Sequence, residues 1–319
     1  MRVFDNFSNI SGIIKNPIVT IGNFDGVHKG HQYIFETINK RAADIGGESV
    51  VLTFEPHPLK LFSNQRKLFL LTPTKKKIVL IEKMGVDNLI LLNFTRDFAE
   101  LSAEEFVKRV IVDMIKPKEI FVGYNYYFGK DREGNVELFK KFGHKYGFEV
   151  NIIEPYIIDD KIVSSSLCRE LISDGKVRDV SKFLGSYYLI EGVVVKGEGI
   201  GRKLGFPTAN IKSPSEVYPK HGVYAVKVGY KNKIWDGACS LGFNPTFDSV
   251  RLTVETYIFD FDEQIYDQKL KIVFIDRIRD MLKFNSLDEL VSEIKCDVEK
   301  ARAILKDVKI SLKEIKFWF

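Results

Sequence analysis

The amino-acid sequence predicts an α/β doubly wound domain followed by a mainly antiparallel β domain, a barrel or a sandwich, that ends in a C-terminal helix. Three observations lead there. Over 17–153, short apolar runs alternate with amphipathic helical patterns; after Ser186 the texture turns to long strand-like runs joined by Gly, Pro and Asn; and SLDELVSEIKCDVEKARAILK places its apolar residues at helical spacing. Strands that are apolar at nearly every position need cover on both faces, which a parallel sheet with crossover helices supplies.

Taken in order, PIVTIG is followed by a helix near 31–45, SVVLTF by one near 74–84, NLILL by one opening at Ser102, and EIFVG by one near 136–146, before FEVNII. The Ser102-x-x-Glu105 spacing is a capping box, in which each side chain satisfies a backbone N–H that the helix leaves free. The count is five strands and four helices, and the Lys75-Lys76-Lys77 run reads as a solvated helix start. A short helical passage over 165–184 precedes the change of texture, so the domains are taken as 1–185 and 186–319. In the second, YYLIEGVVVKGEG, GVYAVKVGYKNKIWDGACSLG, RLTVETYIFDF and KLKIVFIDRIR read as strands. The closing helix begins at the Ser286-x-x-Glu289 cap, with Leu287, Leu290, Val291, Ile294, Val298 and Ala301 as its apolar face.

The composition fits two globular domains. The 319 residues are 45% hydrophobic and 29% charged, which excludes disorder as the main state, and a net charge of +5 is mild. Cys168, Cys239 and Cys296 are odd in number and far apart, which excludes a disulfide framework and a CxxC metal knuckle. No segment reaches the ~18 consecutive apolar residues of a membrane span, and the N-terminus lacks an apolar signal core. The expectation is a cytoplasmic protein without membrane or nucleic-acid partners.

Chemistry concentrates at the end of PIVTIG, in Gly22-Asn23-Phe24-Asp25-Gly26-Val27-His28-Lys29-Gly30-His31. Gly26 and Gly30 permit a tight turn and close ligand approach, and the N–H groups of a helix start suit phosphate. His28 and His31, three apart, share a helix face and can address one phosphate; a surface pair or a metal site is the alternative. FEPHP and GYNYYFG also follow strands, where each could be only a turn. Ser164-Ser165-Ser166-Leu167-Cys168-Arg169 offers hydroxyls and a guanidinium at a helix start, which an ordinary Ser cap would equally explain.

In the second domain, GEGIGRKLGFPTAN leads out of a strand. Its basic pair beside exposed backbone suits phosphate, and Thr208 and Asn210 on one side of an extended chain could hold magnesium; a Gly-rich hairpin and edge strand would read the same way. Glu255 shares a strand face with Thr253 and Tyr257, and is either a working carboxylate or one on a solvated outer face.

With both halves read, the chain resembles the prokaryotic bifunctional riboflavin kinase/FMN adenylyltransferase (FAD synthetase) family over essentially its whole length. The resemblance rests on GNFDGVHKGH, FEPHP, GYNYYFG, SSSLCR, GRKLGFPTAN, HGVYAVKV, LGFNPTF, VETYIFDF and IDRIRDMLKFNSLDEL, in the family's order. It implies an HxGH nucleotidyltransferase-like domain and a riboflavin kinase β-barrel. ATP would phosphorylate riboflavin to FMN, and a second ATP would adenylylate FMN to FAD with release of pyrophosphate. Carried over by position, His28 and His31 would stabilise the adenylyl-transfer transition state. Gly22, Asn23, Phe24, Gly26, Asn125, Ser164, Ser165 and Arg169 would shape the ATP and FMN pocket. Gly201, Arg202 and Pro207 would bind the kinase's ligands, Thr208 and Asn210 would ligate magnesium, and Glu255 would be the base. The sequence departs from the family's common residues at Ser166, Leu167 and Asp267, where Thr, a cation and Gly are usual. Two other classes compete: a different HxGH transferase with a silent barrel, and a binding protein for flavin or RNA. The intact PTAN and HxGH segments speak against them.

Overall fold

A computed structural model describes residues 1–5, 10, 12–62, 69–246 and 249–311. Phe247 of the LGFNPTF motif lies outside them. The chain divides into two compact units, Met1–Ser164 and Ser165–Phe319.

The first unit is built on six parallel strands: β1 (Arg2–Asp5), β2 (Pro17–Ile21), β3 (Glu48–Glu55), β4 (Asn88–Asn93), β5 (Glu119–Gly123) and β6 (Glu149–Ile153). Their order is β1-β4-β3-β2-β5-β6. From β2 the chain steps outward through β3 to β4, then returns to the other side of β2 for β5. That reversal opens a crevice beyond the carboxyl ends of β2 and β5, the usual ligand position in open α/β sheets. All five residues of β2 are buried, as their unbroken apolar run requires.

β1 is a sixth strand where five were expected. It is four residues long, mostly exposed, and paired only with β4 at the sheet edge. A short edge strand carries no buried apolar run, so periodicity does not reveal it. The Ser102–Glu105 capping box forms as expected, but the helix it opens, Ala103–Phe106, continues as the wider π-helical turns of Val107–Ile115. After β6 comes a minimal hairpin of β7 (Ile157–Ile158) and β8 (Lys161–Ile162).

The second unit contains a closed antiparallel barrel, which decides between barrel and sandwich. Its strands are β9 (Leu189–Val195), β10 (Thr208–Lys212), β11 (Gly222–Tyr230), β12 (Lys233–Thr246), β13 (Ser249–Ile258) and β14 (Lys269–Arg279), in the order β10-β13-β12-β11-β14-β9. Pairing of β9 with β10 closes the ring and removes the sheet edges. Every residue of β11 is buried, Lys227 included, because the closing helix Leu287–Leu305 packs over this part of the barrel. The Lys227 ammonium meets Asp236 Oδ1 at 2.7 Å and the carbonyl of Leu305 at 3.3 Å, at the helix end where a cation complements the dipole.

The face of that helix differs from the expected one. Leu287 is 64% exposed, whereas Asp297 is buried with Ala301 and Leu305. Asp297 can be buried because Arg279 of β14 donates to both its carboxylate oxygens, at 2.8 and 2.6 Å. The helices Ser165–Ser173 and Val177–Leu184 belong to the second unit, the latter packing on β14. The contacts thus part at 164/165, ahead of the change of sequence texture at 185/186.

Candidate active sites

β2 delivers the chain into a turn with an unusual backbone. Phe24, Gly26 and Val27 all take positive φ, at 49°, 85° and 42°. Only glycine adopts this region freely, so Phe24 and Val27 hold strained conformations that the surroundings must enforce, a pattern that clusters at functional sites. The Phe24 ring turns back over Gly22, where a Cβ would come within 2.9 Å of it, and meets the rings of His31 and Phe35. Asp25 is buried, and its carboxylate accepts from the backbone N–H groups of Leu71 and Thr72 at 3.1 and 3.0 Å.

His28 is the N-cap of helix Lys29–Asp44, its Nδ1 accepting from the backbone N–H of His31 across 3.4 Å. The imidazoles of His28 and His31 stack, with centroids 3.6 Å apart. Gly30 leaves room for this stack, since a Cβ there would lie 3.3 Å from the His28 ring. Burial, then the neighbouring His28 and Lys77, push the His31 pKa well below the usual histidine value. His31 Nδ1 and Asn23 Oδ1 are buried without a hydrogen-bond partner among the described residues. Two such atoms beside a strained turn at the end of a central strand depart from the rule that buried polar groups are paired.

Asn125 is exposed in the turn that follows β5, the strand beside β2. The FEPHP segment has structural work: the Glu55 carboxylate accepts from the Thr74 hydroxyl, and His57 Nδ1 accepts from the N–H of Leu59 at 3.2 Å. Ser164 is the last residue of the first unit, and Ser165 and Arg169 lie on the first helix of the second. Lys77, expected in a solvated helix start, is instead buried. It is 5% exposed, and its ammonium donates to the Asn23 carbonyl and to Thr53 Oγ1, both at 3.1 Å. The signal was present in register, because Lys77 shares a helix face with buried Leu80 and Ile81.

In the barrel, Thr208 stands opposite Tyr257 and Asn210 opposite Glu255 in the β10–β13 ladder. Directly paired residues point to the same side, so Thr208, Asn210 and Glu255 converge. Glu255 is half-buried, and burial, then the nearby Glu198 carboxylate, raise its pKa, against a hydrogen bond from Thr208. Ahead of β10, Gly199 is left-handed and the helical turn Ile200–Lys203 follows, with Arg202 and Pro207 exposed. The glycines face the two oxygen donors: a Cβ on Gly197 would lie 2.2 Å from Asn210 Nδ2, and one on Gly201 3.4 Å from Thr208 Oγ1. Glu198 is a residue that sequence reasoning passed over; it sits in the GEG segment, where its carboxylate had no visible partner.

Comparison with known proteins separates the same two regions. A family model for FAD synthetase matches residues 12–167, and one for riboflavin kinase matches 184–305. The bifunctional riboflavin kinase/FMN adenylyltransferase of Haemophilus influenzae is 34% identical over 304 residues, covering 95% of this chain and 99% of its own. The chain belongs to that family. The namesake from Listeria monocytogenes is 36% identical, covering 90% of this chain and 92% of its own. A crystal structure from Streptococcus pneumoniae, described as a macrolide-efflux protein, superposes with a TM-score of 0.85 at 34% identity, covering 95% of this chain and 99% of the other. No helix among the described residues is long and apolar enough to cross a membrane. The chain is an enzyme of flavin cofactor synthesis: a riboflavin kinase that makes FMN with ATP, and an FMN adenylyltransferase that makes FAD with a second ATP.

Proposed function

We propose that the two steps run at two separate sites, adenylyl transfer at the His28–His31 stack and phosphoryl transfer at the Thr208–Asn210–Glu255 face. The observation that supports this reading best is the pair of orphaned atoms, Asn23 Oδ1 on the strained turn and His31 Nδ1 in the first turn of the helix that follows, at the reversal of strand order.

For adenylyl transfer, a phosphate oxygen of FMN attacks the α-phosphorus of ATP in line, the bond to the β-phosphate bridging oxygen breaks, and pyrophosphate leaves with the electron pair. No protein nucleophile is needed; positioning and fixed donors carry the catalysis. Because His28 Nδ1 accepts from the His31 backbone N–H, its Nε2 is the ring nitrogen left to donate to substrate. His31, neutral at physiological pH and short of a partner at Nδ1, adds a second hydrogen-bonding group without charging the pocket. Asn23 and Asn125 supply amides, and Gly22 and Gly26 allow close approach. Ser164, Ser165 and Arg169 are assigned to the triphosphate by their chemistry.

For phosphoryl transfer, Glu255 takes the proton of the riboflavin 5′-hydroxyl, its oxygen attacks the γ-phosphorus of ATP, and ADP leaves. A carboxylate with a raised pKa is a stronger base for this purpose. Thr208 and Asn210 offer hard oxygens over the bare backbone of Gly197 and Gly201, a donor set and a cradle that fit magnesium, whose other ligands would be phosphate oxygens and water. When bound, magnesium neutralises charge on the transferring phosphates. Arg202 and the turn around Gly201 and Pro207 complete the ligand-binding segment. Substrates are small flavins and ATP, without nucleic acid, and three free cysteines agree with a cytoplasmic setting.

The test is an incubation with riboflavin, ATP and magnesium, resolving riboflavin, FMN and FAD by chromatography. With His28 and His31 both changed to Ala, FMN should accumulate without FAD; FAD at near-normal rates refutes the assignment. Loss of a transition-state donor costs on the order of 10²–10³ in rate.

A further inference from the structure

We propose that Lys77 is a positioning residue of the adenylyl-transfer site: its buried ammonium clamps the Asn23 carbonyl and so holds the strained turn that presents Phe24, His28 and His31. The proposal rests on the assignment of adenylyl transfer to that turn.

The geometry is a small polar knot under the site. The Asn23 carbonyl receives two donors, Lys77 Nζ at 3.1 Å and Thr53 Oγ1 at 3.2 Å, and Lys77 also donates to Thr53 Oγ1 at 3.1 Å. Asn23 immediately precedes the residues at positive φ, so its carbonyl sets the direction in which the turn departs from β2. A left-handed non-glycine residue is strained, and a turn with two of them relaxes unless both ends are tied. Lys77 ties the entrance. Asp25, held by Leu71 and Thr72, ties the middle, and the His28 cap ties the exit.

A buried cation is a costly way to hold a carbonyl. A hydroxyl or amide would do it without a charge, so the charge itself has a use. Burial lowers the Lys77 pKa, and the Glu55 and Asp25 carboxylates that face it oppose this; His31 feels its positive field. His28 faces His31 from its own turn and acts in the same direction. Lys77 therefore works on the histidine pair twice, through the backbone it fixes and through a field that disfavours imidazolium. A structural lysine would do only the first.

The experiment compares Lys77→Met and Lys77→Arg with His31→Ala in the full-length enzyme. FMN adenylylation is followed as kcat and KM across pH, urea unfolding of the first unit reports whether that unit is folded, riboflavin kinase activity in the same samples serves as the unaffected reference, and ring NMR gives the titration midpoint of His31. Removing the cation should lower kcat for adenylylation by about 10²-fold, the scale of a displaced catalytic group, with the KM for FMN within a few-fold. The His31 midpoint and the acid limb of the rate should both move to higher pH, while kinase activity persists. Lys77→Arg should return the low midpoint and most of the rate. A Lys77→Met enzyme whose midpoint and acid limb stay put overturns the proposal even if its rate falls. If Lys77→Met shows no folded first unit in the urea curve, Lys77→Arg decides, and a midpoint raised toward ordinary histidine overturns it. His31→Ala separates the two levels: continued FAD synthesis there refutes the site itself, whereas its loss beside an unaltered Lys77→Met profile refutes only the role of Lys77.

Discussion

Asn210 faces Glu255 across the β10–β13 ladder, and the same register sets Thr208 two residues along on the same side. The arrangement joins a carboxylate to two hard oxygen donors at a spacing that only pairing of distant strands can produce.

Glu255→Gln should reduce kinase kcat by roughly 10²–10⁴-fold while leaving riboflavin binding and the adenylylation of supplied FMN intact. Because burial and Glu198 raise the Glu255 pKa, the wild-type kinase rate should rise with pH through a midpoint above the ordinary glutamate value. The linkage has the matching sign. The folded state binds this proton more tightly than the unfolded chain, so the contribution to stability is full below the ordinary carboxylate pKa and is lost as pH rises through the raised one. At neutral pH Glu255→Gln should accordingly melt no lower than wild type. A pH–rate profile, flavin fluorescence quenching and a melting curve measure the three quantities.

Gly197→Ala should impair the kinase much as Asn210→Ala does. The new methyl would stand 2.2 Å from Asn210 Nδ2, and this amide must move. The magnesium concentration for half-maximal kinase rate should rise by about 10-fold or more in both variants. An unchanged magnesium dependence in Asn210→Ala would remove Asn210 from the metal site.

A fragment beginning at residue 165 should make FMN from riboflavin and be more stable than one beginning at 186. Helix Val177–Leu184 buries Val177, Val180, Phe183 and Leu184 within the second unit. Exposing such side chains costs roughly 1.5–3 kcal/mol each when fully buried, so the shorter fragment should unfold at clearly lower urea. Equal midpoints would place the functional domain boundary at 185/186.

Asp297→Ala should destabilise the second unit by roughly 2–3 kcal/mol, because it leaves the largely covered Arg279 guanidinium with only part of its bonding. Glu293, 3.2 Å from Arg279 Nε, limits the loss. Urea unfolding of Asp297→Ala and Asp297→Asn gives the comparison, and Asn, which keeps one acceptor, should lose less.

The sequence by itself determined what neighbouring residues decide among themselves. The Ser102 and Ser286 caps, the β2 run and the helix that starts at the HxGH histidines all follow from side chains acting over one or two turns. The motif residues and their order, which carry the family, are legible for the same reason. Tertiary structure alone decided the pairing of β9 with β10 that closes the barrel, the edge strand β1, the descent of Lys77 beneath the Asn23 carbonyl and the inward turn of Asp297 toward Arg279. In each of these a polar or short segment takes a place that its own pattern does not favour. Its compensating partner lies 15 or more residues away in the chain, and a charge reads as solvated until that partner is known.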